Sequence, residues 1–299
     1  MGVTDAAAEQ RGMSDTVRAA LWMIGCIASF STMAVAGREV SFALDTFEIM
    51  LYRSVVGVII VCTVAGMTGT WRQISSAQFS TQVVRNIFHF TGQNLWFYAV
   101  SVIPLAQVFA LEFTSPIWVV LLSPLILGER LTSIRALAAA LGFAGILVVA
   151  RPDPATISPG ILCAAGAALF FALTNLLTRR LTRTQTTTSI LFFLTTLQLV
   201  FGVVCAGFDG DIALPDAVTL PWLLLIGLAG LMAHFCLTKA LKLAPATVVM
   251  PIDFARLPTI AVIGMLFYAE ALDPWVFVGA AIIFIGNYIN IWTETRRQG

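Results

Sequence analysis

The chain alternates between long apolar stretches and short polar breaks. A helix that spans a bilayer needs about 20 mostly apolar residues. Ten such stretches fit the 299 residues: about 19–37, 47–66, 82–102, 105–127, 134–150, 160–178, 188–207, 220–238, 247–268 and 275–293. The breaks are short, and several carry turn residues: Arg151-Pro-Asp-Pro, Asp209-Gly-Asp and Asp273-Pro. None is long enough to hold a soluble domain. Polar residues 1–17 read as a free tail without a cleavage site. The pattern predicts an all-α integral membrane protein of ten transmembrane helices.

Composition narrows the class. Apolar residues make up 59% of the chain and charged residues only 11%, against roughly 25% charged in soluble proteins. That excludes a soluble body and a disordered chain. No basic cluster is large enough to hold a nucleic acid. The expected surroundings are membrane lipid and a small-molecule substrate.

Charge placement predicts orientation. With the N-terminus in the cytoplasm, 13 of 17 basic residues lie on the cytoplasmic side, and only Arg38 and Arg151 fall outside. The loop with Asp209, Asp211 and Asp216 holds no basic residue. This is the asymmetry expected of cytoplasmic loops. An even span count then puts both termini inside, in a bacterial inner (plasma) membrane. Trp22, Trp71 and Trp292 fall near one interface, and Trp222 and Trp275 near the other, as anchoring belts.

Catalytic signatures are missing. The chain has no HExxH, no GxSxG and no phosphate-binding Gly-Lys-Ser/Thr loop. Its five cysteines stand singly inside spans and its two histidines lack zinc-ligand spacing. The reading is therefore no enzyme, no metal and no cofactor. A channel or a structural membrane protein remains the rival class.

The chain also repeats itself. Residues 99–145 set against 240–286, an offset of 141, give 47 columns without a gap and 11 identities. They include Pro104/Pro245, Phe113/Phe254, Glu129/Glu270, Leu131/Leu272 and Gly145/Gly286, and Glu112 falls opposite Asp253. A unit of five spans is odd, so its second copy enters the membrane from the opposite side. Inverted repeats of this kind are common in secondary transporters.

Those residues carry a family resemblance. The run from Tyr98 through Pro104, then Phe113-Thr-Ser-Pro116, Leu127-Gly-Glu-Arg-Leu131 and Gly142-Phe-Ala-Gly145 resembles the EamA domain of the drug/metabolite transporter superfamily. The second copy repeats it as Lys239 through Pro245, Phe254, Ala269-Glu270-Ala-Leu272 and Gly286, with Tyr-Ala-Glu-Ala in place of Leu-Gly-Glu-Arg. Within the superfamily the chain is similar to the YddG-type amino-acid exporters. The resemblance implies two five-helix repeats, 18–150 and 151–295 after the 1–17 tail, around a central cavity. It further implies that the fifth and tenth spans pack together outside the cavity, and that the protein exports amino-acid-like metabolites by alternating access.

Ionisable groups at membrane depth are functional suspects, because each costs about 2.5–3.5 kcal/mol or more there. Here they are Arg53, His89, Glu112, His234, Asp253 and Arg256, with Glu48 nearer a span end. Asp253 and Arg256 stand three apart, close enough to pair, and Pro116 and Pro258 suggest hinges beside the acids. An internal salt bridge with ordinary proline kinks is the structural alternative. Arg53 could hold a substrate carboxylate or pair with Glu48 or Glu112. Asn86, His89, Gln93 and Trp96 share one helical stripe that suits a solvated cavity wall. His234 could supply a facing wall, as could Asn175, Thr178, Thr195, Gln198 and Thr238. Trp118 is too deep for a belt and reads as core or cavity lining. An amino acid would find Arg for its carboxylate and acids or the rings of Trp96, Phe113, Trp118 and Phe254 for its ammonium. Drugs, nucleosides and other polar metabolites satisfy much of the same inventory, an importer is the alternative to an exporter, and a ten-span chain can act as a monomer.

Overall fold

The computed structural model describes residues 14–128, 131–150, 158–208, 210–271 and 274–298. Every regular element among them is helical, and they fall into two runs of the same order. The first run is α1 (Asp15–Val40), α2 (Thr46–Met67), α3 (Phe79–Val102), α4 (Leu105–Glu112), α5 (Ser115–Leu127) and α6 (Ser133–Ala150). The second is α7 (Pro159–Leu181), α8 (Thr187–Ala206), α9 (Thr219–Leu243), α10 (Ala246–Ile252), α11 (Arg256–Tyr268) and α12 (Pro274–Gln298). The short pairs α4/α5 and α10/α11 each fill one expected span, so ten helical rods lie where ten apolar stretches predict them.

Local chemistry sets the helix starts. The Ser14 hydroxyl accepts from Val17 N–H, and Ser158 and Thr186 do the same for Ile161 and Ser189. Asp45 and Glu48 form a reciprocal capping box that opens α2.

Seven of these stretches are long and apolar enough to cross a membrane among the described residues: α1, α2, Leu105–Leu127, α7, α8, α9 and Val248–Tyr268. α6 is apolar but shorter. α3 misses for a different reason. Its buried face carries Gln82, Arg85, Asn86, His89 and Gln93, which lowers its mean hydropathy although it sits among the other helices.

Packing exchanges like elements of the two halves. α1 packs on α9 and α3 on α7; α2 packs on α8 and α6 on α12. A two-fold relation between the repeats requires such an exchange. Small residues allow the closest crossings. A Cβ at Gly202 would fall 2.9 Å from Leu51 Cα, so α8 lies directly on the α2 backbone. Gly286 of α12 similarly faces Leu141 and Ala138 of α6, as the resemblance implied for the fifth and tenth spans.

Candidate functional site

The fourth rod of each half is broken at the same repeat position. α4 ends at Glu112, and Phe113 and Thr114 separate it from α5. α10 ends at Ile252, and a single 3₁₀ turn, Asp253–Ala255, separates it from α11. Phe113 and Phe254 are partners at the 141 offset, so the breaks coincide. Proline explains why a new helix starts after each break. Pro116 and Pro258 lie in the first turns of α5 and α11, where no N–H is needed. The expected kinks inside continuous helices are thus chain breaks followed by helix starts.

The breaks bring both acids to one arginine. Arg256 Nη2 donates to Glu112 Oε1 at 2.5 Å and to Asp253 Oδ2 at 2.6 Å. The other Glu112 oxygen accepts from Trp96 Nε1 at 2.6 Å. Arg256 is 2% exposed, and its guanidinium carbon stands 5.1, 4.8 and 5.4 Å from the ring centres of Phe30, Phe109 and Phe113. Stacked cations of this kind favour arginine over lysine. Two features remain open. Asp253 Oδ1 and Ser115 Oγ are buried without a protein partner. With both acids ionised the cluster carries one excess negative charge. Ser115 is the repeat partner of Arg256, so only one half supplies the cation.

These residues line a narrow cavity of about 50 Å³, room for a few water molecules in this conformation. α1 lines it with Met23, Cys26, Phe30 and Met33, spaced three, four and three along one face. α3 contributes His89, Gln93 and Trp96; α7 contributes Phe171, Thr174 and Asn175. His234 of α9 completes the far wall. The His89 and His234 rings meet edge to face with centroids 4.6 Å apart, and Phe30 lies edge-on to His234 at 5.5 Å. Both His89 nitrogens and His234 Nε2 have no protein partner.

His89, Gln93, Trp96, Glu112, Phe113, His234, Asp253, Arg256 and Pro116 all line this one cavity. Others do not. Trp118 is 38% exposed on the outside of α5, neither core nor cavity wall. Depth along a helix does not fix which way a side chain faces. Phe254 is buried behind Phe113, edge to face at 5.3 Å, and does not reach the cavity. Arg53 pairs with neither expected acid. Its Nη1 donates to Gln93 Oε1 at 2.7 Å. The Glu48 carboxylate instead receives the Asp45 and Ala213 backbone N–H groups. Arg85, assigned to the cytoplasmic face by charge counting, is buried and donates to Thr178 Oγ1 at 2.7 Å.

Sequence reasoning missed Phe30, Phe171 and the Met23–Met33 stripe, because apolar side chains at helical spacing look the same toward lipid and toward a cavity. The five cysteines are free. No cluster of possible metal ligands occurs among the described residues. Glu129, Arg130, Arg151, Asp153, Asp209, Leu272 and Asp273 lie outside the described residues.

Comparison with known proteins places the arrangement. The model of the EamA-like transporter family matches residues 17–151 and again 158–292. A riboflavin transporter of Vibrio cholerae serotype O1 is 27% identical over 94% of this chain and 95% of its own. An S-adenosylmethionine uptake transporter of Rickettsia bellii is 22% identical over 92% of this chain and 94% of its own. A solved crystal structure shares the fold at TM-score 0.75 and 18% identity, covering 95% of this chain and 99% of that one. These relatives do not single out the YddG-type amino-acid exporters.

Proposed function

This chain belongs to the EamA-like transporter family, and from that premise we propose a secondary carrier that takes up a flat heteroaromatic metabolite of the riboflavin class across the bacterial inner membrane. One observation carries the reading. The breaks of α4/α5 and α10/α11 meet in an aromatic-walled cavity whose acid cluster keeps one carboxylate oxygen, Asp253 Oδ1, free for a donor. A flavin ring fits that chemistry. Its faces stack between rings such as Phe30, Trp96, Phe113 and Phe171. Its ring N–H reaches Asp253 Oδ1, and the unpartnered His89 ring serves its carbonyl edge.

One relative's name, an S-adenosylmethionine uptake transporter, supports uptake, and another's, a pseudopaline exporter of Pseudomonas aeruginosa, supports export. S-adenosylmethionine is the second reading, favoured by the excess negative charge of the cluster, which suits a cationic sulfonium.

In this account all ten rods span the membrane, the second repeat is inverted, both termini are cytoplasmic and the functional unit is the monomer. Pro116 and Pro258 serve as hinges at the breaks. Alternating access then rocks the two halves about the cluster.

A titration tests the substrate class. Riboflavin added to the full chain in lipid nanodiscs should quench tryptophan fluorescence saturably and raise Tm by mass action. If amino acids raise Tm while riboflavin and S-adenosylmethionine do not, the heteroaromatic reading fails.

A further inference from the structure

A second, smaller cavity adjoins the first and shares His234 as a common wall. Its other polar walls are Arg53, Ser54, Thr195 and Gln198. Arg53 is 8% exposed, and its protein contacts all run through one nitrogen, Nη1, to Gln93 Oε1 and Met50 Sδ. Its Nε and Nη2 donors have no protein acceptor. Arg85 stands one turn below His89 on α3 and is buried with Nη1 unpartnered. Neither guanidinium has a carboxylate partner among the described residues.

Charge accounting turns this into a site. Glu112 and Asp253 are both committed to Arg256, and Glu48 is committed to backbone N–H groups. Arg53 and Arg85 are therefore buried without a carboxylate counter-ion among the described residues. Such charges are costly unless something pairs with them. A Cβ at Gly230 would lie 2.7 Å from Arg53 Nε and 2.9 Å from Nη2, so the guanidinium lies close against α9.

We infer that the Arg53 edge and His234 Nε2 hold an anionic oxygen group, of carboxylate or phosphate type, while the ring of the transported molecule occupies the neighbouring aromatic cavity. The inference rests on the ring-binding reading above. The anion is either part of the transported molecule or a free ion bound beside it; the chemistry of the site is the same. A guanidinium edge binds two oxyanion oxygens at once, which suits both groups.

Three probes test it on the full chain in nanodiscs: riboflavin, flavin mononucleotide (the same ring with a phosphate) and sodium phosphate. Flavin mononucleotide should bind about tenfold or more tightly than riboflavin, as a charge-assisted contact implies. In Arg53→Gln the two should bind within about twofold, with riboflavin affinity kept. Arg53→Lys keeps the charge and should keep part of the preference, which guards against a misfolded Gln variant. If flavins bind alike but phosphate tightens riboflavin and raises wild-type Tm, the anion is a free ion and the site stands. If neither flavin binds yet phosphate raises Tm only with Arg53 present, the site stands and the ring reading falls. Equal flavin binding with no effect of phosphate overturns the inference and leaves the ring reading intact.

Discussion

Arg256 is the residue on which the site turns, because two acids from the two halves depend on it. Removing it leaves Glu112 and Asp253 close together, buried and unpaired. Breaking a buried pair in this way costs about 3–5 kcal/mol, so Arg256→Gln should lower Tm markedly. Glu112→Gln leaves the Asp253 pair intact, and its amide oxygen can still accept from Trp96 Nε1, so it should lower Tm far less. A thermal melt of both variants checks the order; equal melts would mean that the cluster is not coupled. Much of this cluster was legible. The 141 offset pairs Glu112 with Asp253, and a three-residue spacing pairs Asp253 with Arg256. The Trp96–Glu112 hydrogen bond was not legible, because it depends on how α3 meets α4. The same limit hid the environment of Arg53. Glu48 lies nearby in sequence, but its oxygens serve the Asp45 and Ala213 amides.

Among the elements, two broken rods and one close crossing decide the geometry. Pro116 and Pro258 start helices after the breaks, so the breaks can change angle without unwinding a continuous helix. Pro116→Ala should keep ligand binding and slow transport, as expected of a joint rather than a contact; an unchanged rate would remove Pro116 as a hinge. The α2/α8 crossing has no slack. Gly202→Ala puts a methyl 2.9 Å from Leu51 Cα and 3.1 Å from its N, and overpacking of this kind costs about 1–3 kcal/mol. A melt unchanged from wild type would contradict that crossing. Helix positions were readable from apolar length. The faces were not. Trp118 points outward and Phe30 inward, because only packing against neighbours fixes the rotation of a helix that is apolar all round.

At the scale of the whole molecule, the halves are tied at one end as well as at the centre. Glu270 Oε1, after α11, accepts from Arg38 Nη1 at 2.7 Å at the end of α1 and from Leu105 N at 3.1 Å at the start of α4. Tyr268 adds a ring 5.0 Å from the Arg38 guanidinium carbon. This contact ties α1 and α4 of one half to the end of α11 of the other, at the end of the bundle that the charge asymmetry assigns to the outside. Glu270→Gln should loosen it and raise maleimide labelling of the cavity residue Cys26 several-fold, in a variant that keeps Cys26 alone. Labelling no faster than in the parent would mean that this contact is not a gate. The order of the rods and the repeat were legible in the sequence. The cavity was legible in its polar lining and not in its apolar walls, because each half supplies only one side of it.

The central claim is that the Asp253–Arg256–Glu112 cluster sits in the path of a heteroaromatic substrate. Counterflow of labelled riboflavin into proteoliposomes preloaded with riboflavin tests it most directly, with wild type beside Asp253→Asn. The account predicts saturable counterflow for wild type and a loss of about tenfold or more in the variant at equal reconstituted protein, since a buried charged hydrogen bond is removed. Wild-type flux no faster than empty liposomes, or equal flux from the two proteins, would contradict it.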